Sequence, residues 1–258
     1  MNVGVNVTLL AALLGLLVAG LGGLLVPALI ARVPEPKPKE PKAPETPADD
    51  ATPAQPAAEE PPKILYSDIA DRTGLRGRSA LVSAVSGGLV GAATGLDWPL
   101  LWLLPLVPIG VALSVIDWHT MLLPRRIVVP ATLATILLMV VVGLATDQRD
   151  TLVRALVAML VARSFFWVLW FVRSAGMGFG DVRLAAPVGL VLGWLGWGAL
   201  AIGLWTSFLA FALPALVVVV ARRDRSLLKR SFPFGPFMVF GALVGLVWGT
   251  AVAERMWG

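Results

Sequence analysis

The stretch WPLLWLLPLVPIGVALSVI (residues 98–116) decides the fold, because it contains a single hydroxyl group and no charged side chain. An uncharged apolar run of about 20 residues is long enough for one helix to cross a lipid bilayer. Across the 258 residues, 57% are hydrophobic and 14% are charged, whereas soluble domains carry about 25% charged residues. The composition therefore indicates an integral membrane protein.

Working outward from this stretch, the chain contains several further apolar segments of similar character. Lipid offers no hydrogen-bond partner to backbone amides and carbonyls, so each segment is expected to form a helix. Residues 184–221 are too many for one span, and Gly193, Gly196 and Gly198 offer a break there. The sequence predicts an all-α, polytopic bundle of about eight transmembrane helices, at residues 3–31, 79–95, 98–116, 127–146, 152–172, 184–195, 198–221 and 236–252.

A polar, proline-rich stretch separates the first of these segments from the rest. It reads VPEPKPKEPKAPETPADDATPAQPAAEEPP (33–62), and it cannot bury enough apolar surface to offset the entropy lost on ordering. We therefore predict a first transmembrane helix at 1–31, a disordered cytoplasmic linker at 32–78 and a seven-helix membrane core at 79–258. A plain linker is favoured over a proline-rich ligand for a partner domain, and any partner of the linker is unknown.

Lysine and arginine concentrate in the loops that alternate helices place on one side of the membrane. The positive-inside rule then predicts that both termini lie outside and that the basic loops face the cytoplasm. This bias explains the net charge of +5, so the basic loops are expected to contact membrane lipids and no nucleic-acid partner is expected. The chain has no cysteine and one histidine, which excludes thiolate and multi-histidine metal sites within it. We expect no metal and no cofactor.

Acidic residues narrow the search for chemistry, because an ionisable side chain at membrane depth is costly. Nearly all sixteen acids lie in the linker, in predicted outer turns, in the tail or among arginines near residue 224. The exceptions are Asp117, in VIDWHTMLLP, and Asp181, in GMGFGDVRL, and the predicted topology puts both at the cytoplasmic face. Two carboxylates at such a boundary share a proton and can activate water for peptide hydrolysis. On the acids alone, this pair and two unrelated boundary aspartates are equally favoured.

Three motifs in this order resemble those of the prepilin peptidase (type IV leader peptidase) family of GxGD membrane aspartic proteases. They are Ile-Asp followed by Leu-Pro (116–117 and 123–124), GFGD followed by a basic residue and leucine (178–184), and FPFGPFM (232–238). The resemblance covers roughly residues 79–252 and implies that Asp117 and Asp181 form a catalytic dyad. The residues expected to shape the site are Gly176, Gly178, Gly180, Pro124, Arg183, Pro233, Gly235 and Pro236.

The resemblance implies an endopeptidase that removes the leader peptide of type IV pilin or pseudopilin precursors at the cytoplasmic face. Many family members also carry two CxxC pairs and an N-methyltransferase activity. This chain has no cysteine, so we expect a peptidase alone. Arg125 and Arg183 depart from the family pattern without removing either aspartate.

Three alternatives stay open: a transporter with Asp117 and Asp181 as ion or proton ligands, an inactive pilus-assembly membrane protein, and a GxGD protease that cuts within helices. Two further residues have open roles. His119 either tunes the dyad or binds substrate, or it is an interfacial residue, which is favoured. Arg163, in the middle of a predicted helix, either pairs inside a polar cavity or has no such partner.

Overall fold

A computed structural model of the chain describes residues 2–35, 64–172, 178–222 and 232–257. Every regular element in those ranges is a helix, which confirms the predicted all-α bundle. Residues 36–63, most of the predicted linker, lie outside the described ranges. The helices are α1 (Asn2–Gly23), α2 (Val26–Ala31), α3 (Tyr66–Ala70), α4 (Leu75–Thr94), α5 (Leu100–Thr120), α6 (Arg125–Ala145), α7 (Arg149–Val172), α8 (Phe179–Leu195), α9 (Trp197–Arg222) and α10 (Gly235–Trp257).

Each of the eight predicted segments is helical, and the first is divided into α1 and α2. Six of the described helices, α1, α5, α6, α7, α9 and α10, are long and apolar enough to cross a membrane. Helix α8 is shorter, with 17 residues, and α4 is rich in glycine and serine and contains Arg76 and Arg78. These two helices complete the bundle between the six apolar ones.

Small residues let neighbouring helices in the bundle approach closely. A Cβ atom on Gly189 of α8 would lie 2.6 Å from the Cβ of Ala162 and 2.7 Å from the backbone oxygen of Ala158, both in α7. Helices α1 and α4 meet in the same way, as do α9 and α10. Glycine and alanine are the usual residues of such contacts, because apolar burial does not drive helices together in lipid. The α7–α8 contact matters most for the site, because it holds the helix that carries Asp181.

A sharp turn between α8 and α9 confirms the predicted helix break. Helix α8 ends at Leu195 and α9 begins at Trp197, while Gly196 between them has a φ of +143°. From α7, the Arg154 side chain donates hydrogen bonds to the backbone oxygens of Gly193 (2.9 Å) and Trp194 (2.7 Å). The last carbonyls of a helix have no partner within it, so Arg154 ties the end of α8 to α7.

The described residues on either side of the 36–63 gap meet in space. Glu35 accepts hydrogen bonds from the backbone N–H groups of Tyr66 (3.0 Å) and Ser67 (3.1 Å), at the start of α3. The range predicted as a disordered linker also contains helical residues, namely α3 and the first turn of α4, which begins at Leu75. Tyr66 and Ile69 of α3 are buried against the bundle, which gives this part of the range a packed position.

Candidate active site

Asp117 lies in the last turn of α5, and only 4% of its surface is exposed. Its Oδ2 atom accepts a hydrogen bond of 2.8 Å from the backbone N–H of Gly235, at the start of α10. The first N–H groups of a helix lack partners inside it, and the helix dipole makes that end partly positive. The beginning of α10 therefore supports a negative charge on Asp117.

The turn before α10 allows this approach because residue 235 has no side chain. A Cβ atom there would lie 2.8 Å from Oδ2 and 3.1 Å from Cγ of Asp117, closer than real Cβ contacts. Pro233 and Phe234 before it are buried, and the Phe234 ring lies 5.3–5.8 Å from the rings of Phe166, Phe208 and Phe211. This aromatic cluster holds the turn in place against α7 and α9.

Asp181 lies in the first turn of α8, outside the six apolar spans, and 6% of its surface is exposed. Burial raises the pKa of its carboxyl group to about 7, with a further contribution from the charge of Asp117, while a hydrogen bond from the backbone N–H of Gly178 acts in the opposite direction. The carboxyl groups of Asp117 and Asp181 thus interact, and such a pair titrates as one unit.

The glycine-rich turn before Asp181 packs directly against the loop that follows Asp117. A Cβ atom on Gly180 would lie 2.8 Å from the Cβ of Leu123. Leu123 and Pro124 are both buried, and Pro124 precedes α6. The three motifs singled out in the sequence therefore meet: the first two pack together at Gly180, and the third contacts Asp117 through Gly235.

The other residues expected to shape the site have different surroundings. The guanidinium of Arg183 lies 4.9 Å from the centre of the Phe179 ring, a cation–π contact within the same turn of helix. Pro236 lines a cavity beneath the two carboxylates. Gly176 lies outside the described residues.

His119 has two contacts that define its ring. Its Nδ1 atom lies 2.8 Å from the backbone oxygen of Val115, and its Nε2 atom contacts the guanidinium of Arg72. A carbonyl can only accept and a guanidinium can only donate, so these partners assign a neutral ring with the proton on Nδ1. The described partner of His119 is thus Arg72. Arg163 is exposed on α7, where the polar-cavity alternative would have buried it.

Sequence reasoning did not find the role of Arg154, which binds the end of α8 from α7. It named Leu123 within a motif but did not predict its contact with Gly180. Both contacts join residues that are distant in sequence, so composition and spacing within one segment do not indicate them. Among the residues that the structure describes, no group of three His, Cys, Asp or Glu side chains could hold a metal ion.

Comparison with known proteins supports the family resemblance of this chain. Residues 104–222 match the model of the type IV leader peptidase family. Curated relatives named prepilin leader peptidase/N-methyltransferase include those of Aeromonas hydrophila (30% identity over 175 residues), Pseudomonas putida (32% over 174) and Pseudomonas aeruginosa (31% over 175).

Each of these three matches covers 67% of this chain and 57–58% of the relative. The chain thus spans less than two thirds of the length of the relatives it matches. No solved structure shows a significant match. The matched region contains both Asp117 and Asp181, and it confirms the family resemblance found in the motifs.

Proposed function

Because this chain is related to the type IV leader peptidases, we propose that it is an aspartic endopeptidase with Asp117 and Asp181 as its catalytic residues. The observation that carries the proposal is the meeting of two buried, interacting carboxyl groups at the ends of α5 and α8. Neither lies in an ion pair that would give it a structural role within the described residues. We place the protein in a bacterial cytoplasmic membrane, with this site at the cytoplasmic face.

The proposed reaction uses one ionised and one protonated carboxyl group. The ionised group, Asp117, accepts a proton from water while the water oxygen bonds to the scissile carbonyl carbon. Asp181 donates its proton to the carbonyl oxygen. The carbon–nitrogen bond then breaks as the leaving amine takes up the proton held by Asp117, and Asp181 recovers its proton as the carbonyl group re-forms. The Gly235 N–H keeps its hydrogen bond to Asp117 and favours the ionised form at the start of the cycle.

The proposed substrates are prepilin-like membrane proteins with a short basic leader followed by an apolar helix. The cleavage segment would lie extended beside the glycine-rich turn that precedes Asp181, where the exposed Gly178 presents backbone without a side chain. The apolar helix of the substrate would approach from the side, through the lipid.

An N-methyltransferase activity is a separate question, because the names of the relatives include it. The comparisons therefore do not support the expectation that this activity is absent, and it stays a prediction that rests on the lack of cysteine in this chain. Incubating the cleaved product with the purified protein and S-adenosylmethionine, and then measuring the mass of the product, tests this prediction. A gain of one methyl group would contradict it.

The test of the peptidase is cleavage of a prepilin by the purified protein in nanodiscs. Asp117→Asn and Asp181→Asn should each abolish cleavage at the leader junction, while Asp150→Asn, in the first turn of α7, should cleave like wild type. Activity retained by either site variant would show that its aspartate is not catalytic. Failure of the folded wild type on prepilins from its own cell would overturn the peptidase proposal.

A further inference from the structure

A cavity of 540 Å³ lies among α4, α5, α8 and α10, beneath the two carboxyl groups. Ser114, Leu184 and Val239 line it, and these residues lie about one helical turn further into the bundle than Asp117, Asp181 and Gly235. Its walls are almost entirely apolar. The helices that carry the proposed active site therefore also enclose this cavity.

The cavity is long. On α5 its lining runs from Leu103 to His119, a length of about 24 Å at the helical rise of about 1.5 Å per residue. A single extended hydrocarbon chain is an apolar ligand that can lie along a cavity of this length.

One end of the cavity carries positive charge. Arg78 and His119 line it there, and His119 holds the guanidinium of Arg72 at the same place. Because the contacts of His119 assign a neutral ring, the charge at this rim comes from the two arginines. An occupant that satisfies both features has an anionic head group and an apolar chain.

We propose that this cavity binds one acyl chain of an anionic phospholipid from the surrounding bilayer, with the lipid phosphate between Arg72 and Arg78. The apolar walls of the cavity contact the acyl chain, and the two arginines attract the phosphate. The basic leader of the proposed substrate would be repelled by the same rim, so charge favours the lipid over the substrate. The comparison with the substrate rests on the proposed function, whereas the binding of lipid does not depend on the peptidase activity.

The experiment is native mass spectrometry of the protein after release from nanodiscs with equal amounts of phosphatidylglycerol and phosphatidylcholine. Wild type should retain one phosphatidylglycerol, with a preference of about tenfold or more from two arginines. The double variant Arg72→Ala/Arg78→Ala should lose this preference. Arg125→Ala/Arg126→Ala, at exposed positions that do not line the cavity, should behave like wild type.

A second variant tests the apolar part of the site. Val107→Trp places a large ring inside the cavity and should abolish retention of either lipid, whereas Leu137→Trp, on an exposed face of α6, should not. Equal retention of both lipids by wild type, or normal retention by folded Val107→Trp, would overturn the proposal. So would occupancy by an apolar helical peptide in place of lipid. If Val107→Trp does not fold, Arg72→Ala/Arg78→Ala decides alone. Both of these arginines are exposed, so their replacement should not prevent folding.

Discussion

Asp117 and Asp181 meet at one site although they lie at opposite ends of their helices, and different contacts stabilise the two carboxyl groups. Asp117 lies at the C-terminal end of α5, where the helix dipole is unfavourable to a negative charge, and its hydrogen bond comes from Gly235, 118 residues away. Asp181 lies at the N-terminal end of α8 and is bonded by Gly178, within its own turn. The hydrogen bond to Asp117 thus depends on the packing of a separate helix, while the hydrogen bond to Asp181 depends on the local sequence.

The largest expected effect comes from removing either carboxyl group, because the two act as one unit. Asp117→Asn and Asp181→Asn should each lower kcat/KM by about 10³-fold or more, and the double variant should be no worse than either one. Steady-state cleavage of a prepilin by the three variants gives the answer. Additive losses in the double variant would show that the two groups act independently.

A smaller effect should follow from disturbing the hydrogen bond that Asp117 accepts from Gly235. Gly235→Ala places a methyl group against the carboxylate, so kcat should fall by roughly 10- to 100-fold with little change in KM. Gly77→Ala is the matched control, because a Cβ atom at that position meets nothing within 4 Å. If Gly235→Ala cleaves at a rate within twofold of wild type, the approach of α10 to Asp117 has no catalytic consequence.

The shared proton predicts a pH dependence on the alkaline side. The pKa of Asp181 is raised to about 7, so its carboxyl group is protonated below that pH and ionised above it. Since the reaction needs that proton, kcat/KM should fall as pH rises through 7, by about tenfold near pH 8. A profile measured from pH 5 to 9 tests this, and constant activity up to pH 9 would assign the acid to another group.

The smallest effect concerns the far end of α8, where Arg154 holds the helix that carries Asp181. Arg154→Gln removes charge-assisted hydrogen bonds to Gly193 and Trp194, which should cost about 1–2 kcal/mol of stability. As a positioning residue, it should lower kcat by about threefold and leave KM unchanged. Arg163→Gln, an exposed change on the same helix, is the control. Equal kinetics for the two variants would limit Arg154 to a structural role.

Much of the fold could be predicted from the apolar segments alone. The break at Gly196 and the helical state of all eight segments appear as expected. The three motifs also located the residues that meet at the candidate site. The sequence-based prediction of the fold was less complete for α4 and α8, which are less apolar or shorter than the six spans. It also did not include contacts between helices, such as those of Arg154.

By itself the sequence determined that this protein is a bundle of membrane helices with two aspartates at helix ends. It did so because lipid leaves the backbone no partner outside a helix, and because charge is rare in the apolar segments. Only the tertiary structure decided that Gly235 faces Asp117, that Gly180 packs on Leu123 and that α8 is tied to α7 at its far end. Those contacts depend on how helices distant in sequence pack together, which periodicity and composition within a segment do not encode.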